Sequence, residues 1–335
     1  MKRRKHPHSR LAVRSTVGPR AIGHPDRPLV SVLTPTLNRR DLLAETLASV
    51  HCQSYPSVEH LVVDGGSTDG TVDLLKRAEQ MWGVRWVSQQ DGGMYEALNS
   101  GFALARGEII GWVNDDDWLL PWTIDTAVTT MQRLKRPHAV FGDVLSTTPG
   151  ATTAQLQIYG RFSRAGLAMG RTLAQPTVFW PVSATRRHGP LDTTHYRQIA
   201  DCEYWLRLSA DLPFVKIREI LAVVQNHPAT KRVTLGKEIE QEFALLRSGY
   251  KVPWLPGLSR SSDIVSRRWE WIQILLGRGW STSKKSPLIS GSWTDRDALT
   301  NLLTAGPHRR HPFRDKSMDV TVLRRLIKSS VAELQ

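Results

Sequence analysis

Asp115, Asp116 and Asp117 occupy consecutive positions at the end of a short apolar run, within Glu-Ile-Ile-Gly-Trp-Val-Asn-Asp-Asp-Asp-Trp at 108–118. Adjacent carboxylates repel one another and are tolerated when water, donor groups or a cation compensates them. The apolar residues ahead of them read as a buried strand. The aspartates then fall where that strand leaves the sheet, the edge at which open α/β sheets bind ligands. Hard cations such as Mg2+ and Mn2+ take oxygen ligands, and Mg2+ uses one or two protein carboxylates with water and phosphate completing the shell. A divalent metal holding a diphosphate is the chemistry this spacing suggests. The competing reading is a solvated turn in which Asp117 caps a helix opened by Pro121.

The flanking elements decide whether such a site is built. Leu29 to Thr34 reads as a strand and Pro35 to Asn38 as a turn, and Asp41 to about Gln53 carries Leu42, Leu43, Leu47 and Val50 at helical spacing. His60 to Asp64 is a second strand, broken by Gly65-Gly66-Ser67-Thr68-Asp69-Gly70 before a helix to about Gln80. Val84 to Ser88, the turn Asp91-Gly92-Gly93 and a helix from Met94 to Ala105 repeat the unit, and the fourth strand ends at the aspartates. Strands alternating with helices of this length predict an α/β fold with a Rossmann-like, mostly parallel sheet and helices on both faces. Asp64, Asp91 and the triplet then share one edge. Beyond this half, 138–147 reads as a strand, 160–170 as a connection, 175–180 as extended, and 199–208 as a helix with Tyr204, Trp205 and Leu208 inward.

Charge distribution bears on partners. The formal charge is +14, but residues 1–28 hold 8 Lys/Arg against 1 acid and residues 251–335 hold 15 against 7, leaving 22 basic against 23 acidic residues between. Basic flanks attract any polyanion, which leaves an anionic membrane surface open as a peripheral contact and makes nucleic acid the weaker reading. Two cysteines form no disulfide framework, and no apolar run approaches the length of a membrane span. The expectation is a cytoplasmic protein, with contact at the cytoplasmic face of the membrane open to the flanks. His188, His195 and His227 are too scattered to read as zinc ligands, and Lys231 and Arg232 could grip an acceptor phosphate or be solvated.

Four motifs in order carry a resemblance: Val-Ser-Val-Leu-Thr-Pro-Thr-Leu-Asn-Arg (30–39), Val-Val-Asp-Gly-Gly-Ser-Thr-Asp-Gly-Thr (62–71), Asp-Gly-Gly-Met-Tyr-Glu-Ala-Leu-Asn-Ser-Gly (91–101) and Trp-Val-Asn-Asp-Asp-Asp-Trp (112–118). With Gln175-Pro176, Gly189-Pro190-Leu191-Asp192 and Asp-Cys-Glu-Tyr-Trp-Leu-Arg-Leu (201–208), the chain resembles the family 2 inverting glycosyltransferases of the GT-A fold, of the bacterial cell-surface polysaccharide type. Composition sets apart a basic, disordered arm at 1–28 and a basic, partly helical extension at 251–335, neither of which the resemblance covers. The resemblance implies that the domain between them, 29–250, splits into a nucleotide-sugar-binding half (29–135) and an acceptor half (136–250). It also implies that Thr34, Pro35 and Thr36 line the nucleotide pocket, that Asp64 accepts the base N–H, usually of uracil, and that Asp91 borders base or ribose. Aligned with the family's aspartate-any-aspartate motif, Asp116 is the implied metal ligand and Asp115 the ribose or diphosphate contact, although Asn114 departs from the first motif position. Asp201 is the implied general base, with Cys202 in place of a usual aromatic.

The implied reaction moves a hexosyl group from a nucleotide-diphosphate sugar to a hydroxyl of a saccharide or lipid-linked acceptor, assisted by Mn2+ or Mg2+. Two alternatives stay open at this stage. One is a sugar nucleotidyltransferase, which needs a basic, Gly-rich triphosphate loop that Thr34-Pro35-Thr36 does not supply. The other is a degenerate domain serving as a basic module for polyanions or membrane surfaces.

Overall fold

Strand β1 (Val30–Thr36) is apolar on both sides and buried along its whole length, which places it at the centre of a sheet. Val30 and Val32 face one core with Leu43, Leu47, Leu74 and Leu75, whereas Leu33 faces the other with Leu98, Phe102 and Ile110. The period of two thus sets which helix covers which face. Helices α1 (Arg40–His51) and α2 (Thr71–Trp82) cover the first face, and α3 (Met94–Leu104) covers the second. Strands β2 (Val58–Asp64), β3 (Arg85–Ser88) and β4 (Ile109–Trp112) run parallel to β1 in the order β3-β2-β1-β4. This computed structural model describes residues 27–226, 236–250 and 317–334.

The sheet then changes character. A two-residue strand β5 (Trp118–Leu119) follows the aspartates and α4 (Thr123–Arg133) follows it. β6 (Ala139–Thr147) hairpins with β7 (Thr153–Gln157), and the short helix α5 (Arg164–Ala168) leads to β8 (Phe179–Pro181). β8 runs antiparallel between β4 and β6, so the two halves share one sheet. Residues 175–177, expected to be extended, form a 3-10 turn instead, because Thr177 Oγ1 donates back to the Ala174 carbonyl at 2.7 Å. Helices α6 (Val182–His188) and α7 (Ala200–Leu208) precede β9 (Phe214–Gln225), which pairs parallel to β6 and antiparallel to β5.

The aromatics of α7 lock the second half onto the first. Trp205 stacks on Trp112 of β4 with ring centroids 5.6 Å apart, and Tyr204 stacks on Phe102 of α3 at 5.7 Å. Arg207 reaches back to Glu203 at 2.8 Å, one turn earlier on the same helix. Helix α8 (Gly236–Gly249) supplies Glu242, whose carboxylate accepts the backbone N–H groups of Arg197, Gln198 and Ile199 ahead of α7. The extension expected from 251 onward contributes β10 (Ser317–Asp319), paired antiparallel with β7, and α9 (Thr321–Leu334) to the same body. The arm at 1–26, the pair Lys231 and Arg232, His227 and the Trp-bearing stretch near 270 lie outside the described residues. No helix among the described residues is long and apolar enough to cross a membrane.

Gly107 marks where the turn from α3 into β4 presses against β1. A Cβ there would stand 2.5 Å from the Ser31 backbone nitrogen, and backbone cannot swing aside. Gly107→Ala is expected to cost about 1–3 kcal/mol, read as a lower urea midpoint at unchanged slope.

Candidate active site

The loops after β1 and β2 turn over the same edge, and side chains clasp them together. Asn38 sits in the left-handed region at φ 53°, which asparagine tolerates better than most residues. Its backbone N–H donates to Ser67 Oγ at 2.7 Å and its Oδ1 accepts the Thr68 N–H at 2.8 Å. Asp69 adds a second clasp, accepting the Arg40 N–H at 2.9 Å and the Thr71 hydroxyl at 2.6 Å.

Asp64 ends β2 and is fully buried. Its carboxylate accepts the N–H groups of Gly66 (3.2 Å) and Ser67 (3.0 Å), the Ser88 hydroxyl (2.6 Å) and the Ser67 hydroxyl. Protein donors therefore satisfy it, and it holds the loop in shape. Half-buried Asp91 lies in the same corner, since a Cβ on Gly65 would come within 3.4 Å of both its carboxylate oxygens. Burial raises the Asp91 pKa, and nearby Glu96 and Asp64 push the same way against the N–H donated by Gly93 at 2.8 Å.

The triplet is divided between two sets of partners. Arg39 Nη1 contacts Asp116 Oδ2 at 2.6 Å and Asp115 Oδ1 at 3.4 Å, so both carboxylates converge on one cationic atom. Burial still dominates at Asp115, whose pKa is pushed up to about 6 although Arg39 opposes the shift. Asp117 turns the other way, accepting the Gln225 N–H at 3.1 Å and the Asn114 amide at 3.4 Å, and burial holds its carboxyl well above the ordinary range. Helix α4 starts only at Thr123, so Asp117 does not cap it; it ties the turn to the end of β9.

A divalent cation fits this corner. Two oxygen-bearing side chains already meet at a point where positive charge sits, and the raised pKa of Asp115 shows that one guanidinium compensates it incompletely. Among the described residues no group of three or more His, Cys, Asp or Glu could close around a metal. An ion here would keep positions for water and substrate oxygens, as Mg2+ does with few protein ligands.

The remaining expected residues are less uniform. Pro35 and Thr36 end β1 beside the triplet, with the Thr36 hydroxyl next to Asp115. Thr34 is wholly buried and its hydroxyl meets His60 Nε2 at 2.9 Å, so its side chain supports the pocket from behind instead of lining it. Burial lowers the His60 pKa to about 3, which keeps that ring neutral. Asp201 lies in the first turn of α7, partly exposed, and accepts the Tyr95 hydroxyl at 3.2 Å through Oδ1. Burial raises its pKa, opposed by the Cys202 N–H and by Tyr95. Tyr95 stands one turn after Asp91 on α3, which connects Asp201 to the edge that holds the other carboxylates. Cys202 is buried among the aromatics, so it alters packing there and not an exposed wall. His188 and His195 are each occupied by a carboxylate, Asp211 at 2.7 Å and Asp192 at 2.8 Å.

Sequence reasoning missed Arg39, Tyr95 and Gln225. Arg39 had a signal, being a cation in the loop over the edge where the triplet lies. Tyr95 and Gln225 reach their partners across more than a hundred positions and had none.

Residues 31–172 match the family model described as glycosyl transferase family 2. That stretch of the chain is similar to the family. The chain is 41% identical over 91 residues to an uncharacterized glycosyltransferase of Mycobacterium tuberculosis, a match covering 27% of this chain and only 34% of that relative. It is 27% identical over 203 residues to a PGL/p-HBAD biosynthesis glycosyltransferase of Mycobacterium bovis, covering 60% of this chain and 77% of the relative. The fold matches that of TarS residues 1–349 from S. aureus, crystallised with UDP-GlcNAc, at a TM-score of 0.54 and 16% identity over 75% of this chain and 72% of TarS. The GT-A glycosyltransferase fold expected from the motifs is thus the fold observed. The family match includes the triplet and ends before Asp201.

Removing the shared cation should expose the repulsion it suppresses. Because the Arg39 side chain is 41% exposed, Arg39→Met is expected to cost only about 1 kcal/mol without metal. Mn2+ should then stabilise the variant more than the wild type in a thermal-shift titration. Equal shifts in both proteins would show that Asp115 and Asp116 do not share a cation site.

Proposed function

We propose that this domain transfers a hexosyl group from a nucleotide-diphosphate sugar, UDP-linked, to a hydroxyl of a saccharide or lipid-linked acceptor, with inversion at the anomeric carbon. One observation carries the reading: Asp115 and Asp116 converge on a single cationic atom at the same sheet edge as Asp64 and Asp91, and Tyr95 ties Asp201 to that edge. The match of residues 31–172 to the family model supports sugar transfer, and the PGL/p-HBAD and UDP-GlcNAc-bound proteins the chain resembles are consistent with a sugar acceptor and a nucleotide-sugar donor.

In this reading Pro35 and Thr36 border the nucleotide. Asp91, held by one backbone donor, is the carboxylate available to base or ribose. Asp64 reaches the base only if its loop releases one of its four bonds. Asp116 and Asp115 would hold Mn2+ or Mg2+ together with the diphosphate, and the bound ion would offset charge growing on the leaving group. Asp201 takes the proton of the acceptor hydroxyl as it attacks. Tyr95 holds Asp201 Oδ1. Attack opposite the diphosphate inverts the centre, and no covalent nucleophile is required. Sugar selectivity is assigned to the walls between Gly142 and Gly170, and the basic flanks favour an acceptor presented at the cytoplasmic face of the membrane.

Asp201→Asn should lower transfer by about 10²–10⁴-fold while UDP binding in Mn2+ stays within twofold or so. In the wild type, kcat/KM should fall as pH drops through the raised Asp201 pKa, above the usual carboxylate range near ~4. Robust turnover by the Asn variant would remove Asp201 as base. Asp116→Ala should abolish the Mn2+ dependence of UDP binding in calorimetric titration. An unchanged isotherm would deny it the ligand role.

A further inference from the structure

Helix α9 lies against α1 and α2, and its contacts lead back to the triplet. β10 adds to β7 through Ser317–Gln155, Met318–Ala154 and Asp319–Thr153, and Val320 N–H donates to the Thr152 carbonyl at 2.9 Å. That anchor sets the start of the helix. Val320, Leu323, Ile327 and Leu334 then sink into the same core cluster as Trp118, Leu119 and Leu120.

Arg324 makes the polar part of this contact. Its guanidinium sits over the Trp118 ring, 5.2 Å from the centroid, while Nη2 donates to the Thr148 carbonyl at 2.9 Å. Trp118 follows Asp117 directly and is fully buried. Burial raises the pKa of Glu45 on α1, and the charge of Arg324 opposes that shift together with the Gln225 amide and the Trp118 indole beside the carboxylate. Gln225 in turn donates its side-chain amide to the Asp116 carbonyl at 2.8 Å and its backbone N–H to Asp117 Oδ1. From α1, Thr46 donates to the Asp117 carbonyl at 2.9 Å and Ser49 accepts the Leu119 N–H at 3.2 Å. Thr46, Ser49 and Gln225, which fix the backbone of the aspartate turn from below, therefore lie on α1 and β9, and Arg324 stacks on the turn's own Trp118.

We infer that Arg324 is a positioning residue for the donor site, holding Trp118 against the Thr148 carbonyl so that the aspartate turn keeps the geometry in which Asp115 and Asp116 meet. The consequence for ligand binding rests on the reading of the triplet as the donor site; the consequence for the turn itself does not. A planar cation spanning an aromatic face and a carbonyl suits arginine, and lysine reproduces the charge without the stack.

The test uses the full chain as wild type, Arg324→Met and Arg324→Lys, read by hydrogen exchange and by titration of UDP in Mn2+. Exchange at Leu119, Leu120 and Gln225 should rise about tenfold in the Met variant, with amides of β1 and β2 unchanged and the Lys variant between. UDP affinity in Mn2+ should fall about tenfold in the Met variant and recover in part with Lys. Unchanged exchange at those three amides, or a rise spread evenly over the domain, would overturn the inference. So would a loosened turn that binds UDP with wild-type affinity. If the wild type binds no UDP in Mn2+, the donor-site reading fails, and the exchange measurement alone decides whether Arg324 orders the turn.

Discussion

Two carboxylates 4 Å apart cost about 4 kcal/mol at an effective dielectric near 20, and three in succession cannot all be left ionised and buried without compensation. The domain separates them. The turn sends Asp117 toward β9, where the Gln225 N–H meets it, and leaves Asp115 and Asp116 to a single guanidinium. The positions of Arg39, Gln225 and α1 follow from that division. Arg39 must come from the loop after the central strand, and Gln225 must come from the last residue of β9, the strand that pairs with β5 immediately beyond the aspartates.

A parallel half presents carboxylates at one edge, and the antiparallel insertion of β8 allows a second half to face them. Because β8 joins β4 to β6 in a continuous sheet, α7 lies directly on the aromatic layer formed by Trp112, Trp180 and Trp205. Asp201 is placed by that packing, through Trp205 beneath it and Tyr95 beside it. The site is thus held by core contacts on one side and by charge pairing on the other.

The first four strands and three helices were legible because their apolar residues keep a strand or helix period and Gly, Asp or Asn marks several of the loops between them. Asp64, Asp91 and the triplet were legible as a group for the same reason. What each carboxylate does was not. Nothing in the Gly-Gly-Ser segment announces that its N–H groups and hydroxyl turn back onto Asp64. Gln175–Thr177 misled because Pro176 suits an extended segment and the first turn of a 3-10 helix equally. β5 and β10 have two and three residues and exist only through pairing with β9 and β7, a long-range property that no local pattern carries. Arg39 was readable in principle, but it falls between the predicted turn and helix and its partners lie 76 and 77 positions away.

The clasp between the first two loops has a consequence for recognition. Asn38, Ser67, Thr68, Asp69 and Thr71 use short side chains against backbone groups, so they fix the loop shapes without filling the space above them. A ligand arriving at this edge meets walls already ordered, and little of its interaction energy goes into freezing them. Affinity differences among donors then arise in how fast each one leaves, with rates of arrival nearly alike.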